Sequence, residues 1–132
     1  MKILIMEDEF TSRMLLQHLM SEYGEIDAVV NGQEALDAFY KAADLEQKYD
    51  LICLDIMVPE IDGQEVLRRI REFEEKNGID GLNTRTKVVM ITALNDVENF
   101  LAAFNEQCEG YIMKPFNREK IQSTMKSLNL SK

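Results

Sequence analysis

The 132-residue chain has no tryptophan, a single histidine, two cysteines and two prolines. Cys53 lies inside an apolar run and Cys108 near the end of a helical stretch, with no pairing or metal-type spacing. That pattern argues against a disulfide framework or a thiolate metal centre, and both are expected to be small buried hydrophobes. His18, beside Gln17 in a helical stretch, is expected to face solvent and is given no role. Positive charge is also scarce, with 15 Lys and Arg against 24 Asp and Glu and a net charge of −9. Binding phosphate backbones needs a concentrated basic face, so no direct nucleic-acid partner is expected. No apolar stretch approaches the length of a membrane span. The opening Met1-Lys2-Ile3-Leu4-Ile5-Met6-Glu7 turns acidic before a signal peptide could form. A cytoplasmic location without membrane insertion is therefore expected. There is no G-x-G-x-x-G or P-loop pattern, no internal repeat and no low-complexity tract.

What is present is a regular alternation. At 45% hydrophobic residues the chain can build an ordinary core, and its length fits one domain over residues 1–132. Apolar runs at Ile3–Met6, Ala28–Val30, Leu51–Leu54, Val88–Ile91 and Tyr111–Met113 alternate with segments of helical period. Each helical segment has an apolar face: Leu15, Leu16 and Leu19; Leu36, Phe39 and Ala43; Val66, Leu67, Ile70 and Phe73; Val97, Phe100, Leu101 and Phe104; Ile121, Met125 and Leu128. Five strands and five helices in alternation predict an α/β fold, a doubly wound (βα)5 domain with a five-stranded parallel sheet. Thr11 or Ser12 is expected to cap the first helix, and Asn31-Gly32, Asp62-Gly63 and Asn117 mark the starts of the second, third and fifth. Residues 74–86, polar and with two glycines, read as an extended loop or a helix overrun, solvated rather than binding.

Four of the strands run directly into reactive side chains. The first precedes Glu7-Asp8-Glu9, the third ends at Asp55, the fourth meets Thr92-Ala93 and the fifth meets Lys114-Pro115. In a parallel sheet these ends meet on one edge, where open α/β folds place their ligands. Clustered carboxylates repel one another unless a cation is shared, so Glu7, Asp8 and Asp55 call for a metal. All-oxygen ligation suits Mg²⁺, which keeps several waters and accepts phosphate oxygens. The set is suited to phosphoryl transfer, with Asp55 as nucleophile and Lys114 and the Thr92 hydroxyl contacting phosphoryl oxygens. Glu9 is better read as a favourable charge at a helix amino terminus.

These residues resemble the receiver domain of two-component response regulators over essentially the whole chain. The resemblance is carried by Glu7-Asp8, by Leu54 to Gly63 as Leu-Asp-x-Met-x-Pro-x-x-Asp-Gly, by Ile91-Thr92-Ala93, and by Gly110-Tyr111-Ile112-Met113-Lys114-Pro115-Phe116. It implies a flavodoxin-like, CheY-like strand order 2-1-3-4-5. It also implies that Asp55 becomes a 4-aspartylphosphate, taking its phosphoryl group from a sensor histidine kinase or a phosphotransfer protein. Mg²⁺, with Mn²⁺ or Ca²⁺ as substitutes, would be held by Asp8, Asp55 and the backbone carbonyl of Met57, with Glu7 reached through water. The Lys114-Pro115 bond would be cis. Thr92 and Tyr111 would act as the switch, reporting phosphorylation to a downstream protein target through the surface of the fourth helix, fifth strand and fifth helix. Tyr111 reads equally well as core filler.

Glu7 departs from the more usual aspartate, and its extra methylene bears on metal affinity. Met57 and Leu94 are apolar where the family tunes water attack, so slow self-dephosphorylation is expected. A haloacid dehalogenase-type phosphatase would need a second Asp at the position of Met57. A flavodoxin-like cofactor binder would need a phosphate-cradling loop where Glu7-Asp8-Glu9 stands. The expected function is thus a signalling switch rather than a multi-turnover enzyme. The residues from Asn117 to Lys132 do not distinguish a stand-alone receiver from one excised from a longer regulator.

Overall fold

A computed structural model describes residues 1–56, 61–79, 81, 84–93 and 107–130. The strands are β1 (Lys2–Met6), β2 (Glu25–Val29), β3 (Leu51–Asp55), β4 (Lys87–Thr92) and β5 (Gly110–Met113). The α-helices among the described residues are α1 (Phe10–Met20), α2 (Gly32–Asp44), α3 (Gly63–Lys76) and α4 (Arg118–Ser127), with a short 3-10 turn at Ser21–Tyr23. The fourth helix expected from Val97, Phe100, Leu101 and Phe104 lies outside the described residues. All strand pairs are parallel, in the order β2-β1-β3-β4-β5.

The all-parallel pairing goes with burial on both faces. The central strands are nearly continuous apolar runs, which suits a sheet covered on each side by helices. Side chains alternate across the pleat, so Leu4, Met6, Ile52, Leu54, Val88 and Met90 pack with α2 and α3. Ile3, Ile5, Leu51, Cys53, Val89, Ile91 and Ile112 pack on the other face against Leu16, Met20, Ile121 and Met125. Cys53 and Cys108 are free and buried, and burial pushes the Cys53 thiol up to about 12.

Local details differ from the sequence expectation in four places. Helix α1 is capped by Glu9 and not by Thr11 or Ser12: Glu9 is extended, and its carboxylate accepts from the amides of both. The longer side chain reaches over two amides from two residues before Thr11, which leaves Thr11 and Ser12 inside the first turn. Leu15 is 43% exposed, and the buried stripe is Leu16 and Met20 with Leu19 partly covered, because only one i, i+3, i+4 stripe can face the sheet. Strand β2 begins at Glu25 and stops before Val30; as an edge strand it mixes exposed polar residues with apolar ones and gives no clear apolar run. Finally, of the two readings of residues 74–86 the helix overrun holds at their start, where α3 runs to Lys76 and ends at Asn77 and Gly78, the latter at φ +71°, but the solvated reading does not. Glu74 at its end is buried and accepts hydrogen bonds from Arg71 Nη1 and from the Thr86 amide, so the start and the end of this connection are tethered rather than freely solvated.

Candidate phosphoacceptor and metal site

The sheet's alternation builds the site. Glu7, Asp55 and Lys114 each stand two residues beyond an inward-facing residue of one core, Ile5, Cys53 and Ile112. A period of two therefore carries all three toward the same face at the carboxyl edge. Thr92 follows Met90 by two residues, and Met90 pairs with Tyr111, so Thr92 and Tyr111 belong to the opposite alternation. The switch point of the sheet, where β1 and β3 adjoin, lies beneath Glu7, Asp8 and Asp55.

The Lys114 ammonium donates to Glu7 Oε1 at 2.8 Å and to Asp55 Oδ2 at 2.7 Å. Carboxylate oxygens of Glu7, Asp8 and Asp55 lie within 4.8 Å of one another, Glu7 and Asp55 buried and Asp8 exposed. Burial first, and then the neighbouring Asp55, push the Glu7 carboxyl up to about 8 against the pull of Lys114. Burial works against the Lys114 ammonium, but its bonds to Asp55 and Glu7 outweigh it and raise its pKa. Glu7 Oε2 is buried without a hydrogen-bond partner. An orphaned hard oxygen beside two further carboxylates fits a hard divalent cation, which would supply the charge that one ammonium does not.

The neighbouring segments fix these groups. The Ile56 amide bonds to the Ile91 carbonyl at 3.0 Å, and the Lys114 amide to the Thr92 carbonyl at 2.9 Å, tying the ends of β3, β4 and β5 together. The Lys114–Pro115 bond is cis. Thr92 is buried, and its hydroxyl donates to the Ala93 carbonyl at 3.1 Å. Tyr111 is 37% exposed and therefore is not core filler in this conformation. Met57 and Leu94 lie outside the described residues. The acidic donors and Lys114 are thus brought together, while Thr92 and Tyr111 stand on the opposite alternation.

Two residues contribute in ways the sequence did not show. A Cβ on Gly63 would stand 2.5 Å from the Asp55 carbonyl oxygen, so the glycine lets α3 start against the backbone of β3. Arg13 Nη1 donates to the carbonyls of Glu7, at 3.0 Å, and Asp8, at 3.3 Å. The available signal for Arg13 is its place one helical turn beyond the acidic pair.

Comparisons with known proteins agree with this geometry. Residues 3–126 match the family model described as the response regulator receiver domain. The transcriptional regulatory protein ResD of Bacillus subtilis is 38% identical over 128 residues, covering 96% of this chain and 47% of that protein. The regulatory protein VanRB of Enterococcus faecalis is 32% identical, covering 96% of this chain and 50% of that one. The chain thus spans about half the length of the curated relatives it matches. A putative response regulator from Chloroflexus aurantiacus superposes with a TM-score of 0.76 at 25% identity over 97% of both chains. The chemotaxis response regulator CheY4 of Vibrio cholerae, at 23% identity, shares the fold with a TM-score of 0.74 over 98% of each chain. The chain is a member of the response regulator receiver domain family, which serves two-component signalling.

Proposed function

We propose that residues 1–132 act as one Mg²⁺-dependent receiver unit in which Asp55 accepts a phosphoryl group from the phosphohistidine of a sensor histidine kinase or a phosphotransfer protein. The observation that carries this reading is the double hydrogen bond of Lys114 to Asp55 and Glu7 within a cluster of three carboxylates at the ends of β1 and β3. Asp55 attacks phosphorus, the donor's P–N bond breaks as the new P–O bond forms, and the histidine nitrogen leaves. Asp8, Asp55 and the backbone carbonyl of Met57 would hold the ion, with Glu7 beside it. When bound, the cation neutralises charge on the transferring group. Lys114 and the Thr92 hydroxyl engage the phosphoryl oxygens, and Lys114 must then give up part of its bond to Asp55.

The output is a population shift: a phosphoryl group that bonds better to one arrangement of Thr92 and Tyr111 favours that arrangement. The half-exposed Tyr111 would turn inward and change a surface read by a downstream protein. Relatives named as regulatory proteins support an output of this kind. The domain catalyses only its own phosphorylation and dephosphorylation. None of the helices among the described residues is long and apolar enough to cross a membrane, which accords with work in the cytoplasm.

Incubation with acetyl phosphate, with and without Mg²⁺, followed by intact mass, tests the assignment. An alkali-labile phosphoryl addition that needs Mg²⁺ and is missing from Asp55→Asn is expected. Full labelling of Asp55→Asn would overturn it.

A further inference from the structure

The turn between β1 and α1 carries two of the three clustered carboxylates, yet little of the regular hydrogen-bond ladder reaches it. The Glu7 amide is held by the Val29 carbonyl at 3.1 Å, and the first helical bond of α1 runs from the Arg13 amide to the Glu9 carbonyl at 2.9 Å. Between these anchors stand the carbonyls of Glu7 and Asp8. Continuing the helix pattern backward would pair them with the amides of Thr11 and Ser12. Both amides are instead taken by the Glu9 carboxylate, which caps the helix. The carbonyls of Glu7 and Asp8 are instead reached by the Arg13 side chain, both from a single nitrogen, Nη1. The Phe10 ring lies 5.5 Å from the guanidinium carbon and braces it.

We propose that Arg13 is a positioning residue for the metal site: by clamping the carbonyls of Glu7 and Asp8 it fixes the turn that aims their carboxylates at Asp55. The inference rests on the metal-binding reading above. Asp8 is exposed, so the direction of its carboxylate depends on the backbone that carries it. Glu7 is sealed beside Lys114, and a small rotation of the Glu7–Asp8 peptide would move its unpartnered Oε2 relative to the other donors. Partners that orient ligands without touching the ion commonly govern affinity in this way.

Charge and positioning predict opposite signs. Arg13 brings a permanent positive charge close to a site for a dication, so removing it relieves repulsion and, on Coulomb grounds alone, tightens metal binding. Loss of the clamp loosens it. Mn²⁺ binding followed by electron paramagnetic resonance, with Mg²⁺ as competitor, reads the sign directly in the wild type, Arg13→Met and Arg13→Lys. Arg13→Met keeps an apolar stem against Phe10 and is expected to weaken both ions by roughly tenfold or more. Arg13→Lys, which keeps the charge but not the planar donor, is expected to fall between. In the metal-free protein, amide exchange at Asp8 and Glu9 speeds up in Arg13→Met. Equal or tighter binding by Arg13→Met, or unchanged exchange at these amides, overturns the inference. A wild-type protein that binds neither ion overturns the metal-site reading and this inference with it, so the two failures are told apart.

Discussion

Glu7 shows how burial and a neighbouring carboxylate redistribute charge in a closed space. Its carboxyl is buried, faces Asp55 and shares the single ammonium of Lys114, so burial and the neighbouring carboxylate favour the protonated form. With the folded-state pKa near 8 against an ordinary 4.5, the metal-free native state binds a proton that the unfolded chain releases. The stabilising contribution is complete below pH 4.5 and is lost as pH rises through about 8. Urea midpoints of the metal-free protein are therefore expected to fall across that window, and Glu7→Gln is expected to flatten the fall. A wild-type profile no steeper than that of Glu7→Gln would refute this assignment. The same residue, once an ion is present, is expected to give up its proton.

At the scale of an element, α3 is the support of Asp55. Asp62 caps it by accepting from the Glu65 amide at 2.9 Å, and Val66, Leu67 and Ile70 bury its apolar stripe against the sheet. Its first residue is a glycine because the helix starts on the Asp55 backbone. Gly78, past its far end, is a glycine for a different reason: φ is +71° and the space around it is open. Gly63→Ala is expected to cost about 1–3 kcal/mol by overpacking and to slow acetyl phosphate labelling, since the methyl must displace the end of β3. Gly78→Ala is expected to cost about 1 kcal/mol through backbone strain with labelling unchanged. Denaturant unfolding and intact-mass labelling rates check both, and equal labelling in the two variants would contradict the close-approach argument.

Across the whole molecule, chemistry and anchoring occupy opposite ends of the sheet. At the amino ends of β4 and β5, Arg71 donates to Glu74, Glu109 and the carbonyls of Gln107 and Thr86. Arg85 bonds the other oxygen of Glu109 at 2.7 Å, and the Val88 amide bonds Glu109 Oε1 at 2.7 Å. These side chains are at most 14% exposed, so removing one partner strands buried charge. Arg71→Met is expected to cost about 3–5 kcal/mol. The folded variant is expected to label at Asp55 at the wild-type rate, because the network lies at the far edge from the carboxylates. Urea unfolding and labelling below the unfolding transition check the pair of outcomes, and slowed labelling in fully folded protein would show the two edges to be coupled.

The fold was legible because burial on both faces writes itself as short apolar runs, and Ile3–Met6, Leu51–Leu54 and Val88–Ile91 are such runs. Edge strand β2 was half hidden because the exposed Glu25 and Asp27 interrupt its apolar residues. That Glu7, Asp8, Asp55, Thr92 and Lys114 stand at one end of the sheet was legible because each closes a strand or lies within two residues of its end. Arg71, Glu74, Arg85 and Glu109 were not, since separations of up to 38 residues leave no local pattern, and only packing shows which charges lose water together. Sequence by itself determined the alternating elements and the order in which reactive residues meet the strand ends. Tertiary structure decided that Glu7 is sealed onto Lys114, that Glu9 rather than Thr11 or Ser12 caps α1, and that the Arg13 side chain reaches the carbonyls of Glu7 and Asp8, because each depends on which groups the folded chain brings within hydrogen-bond distance.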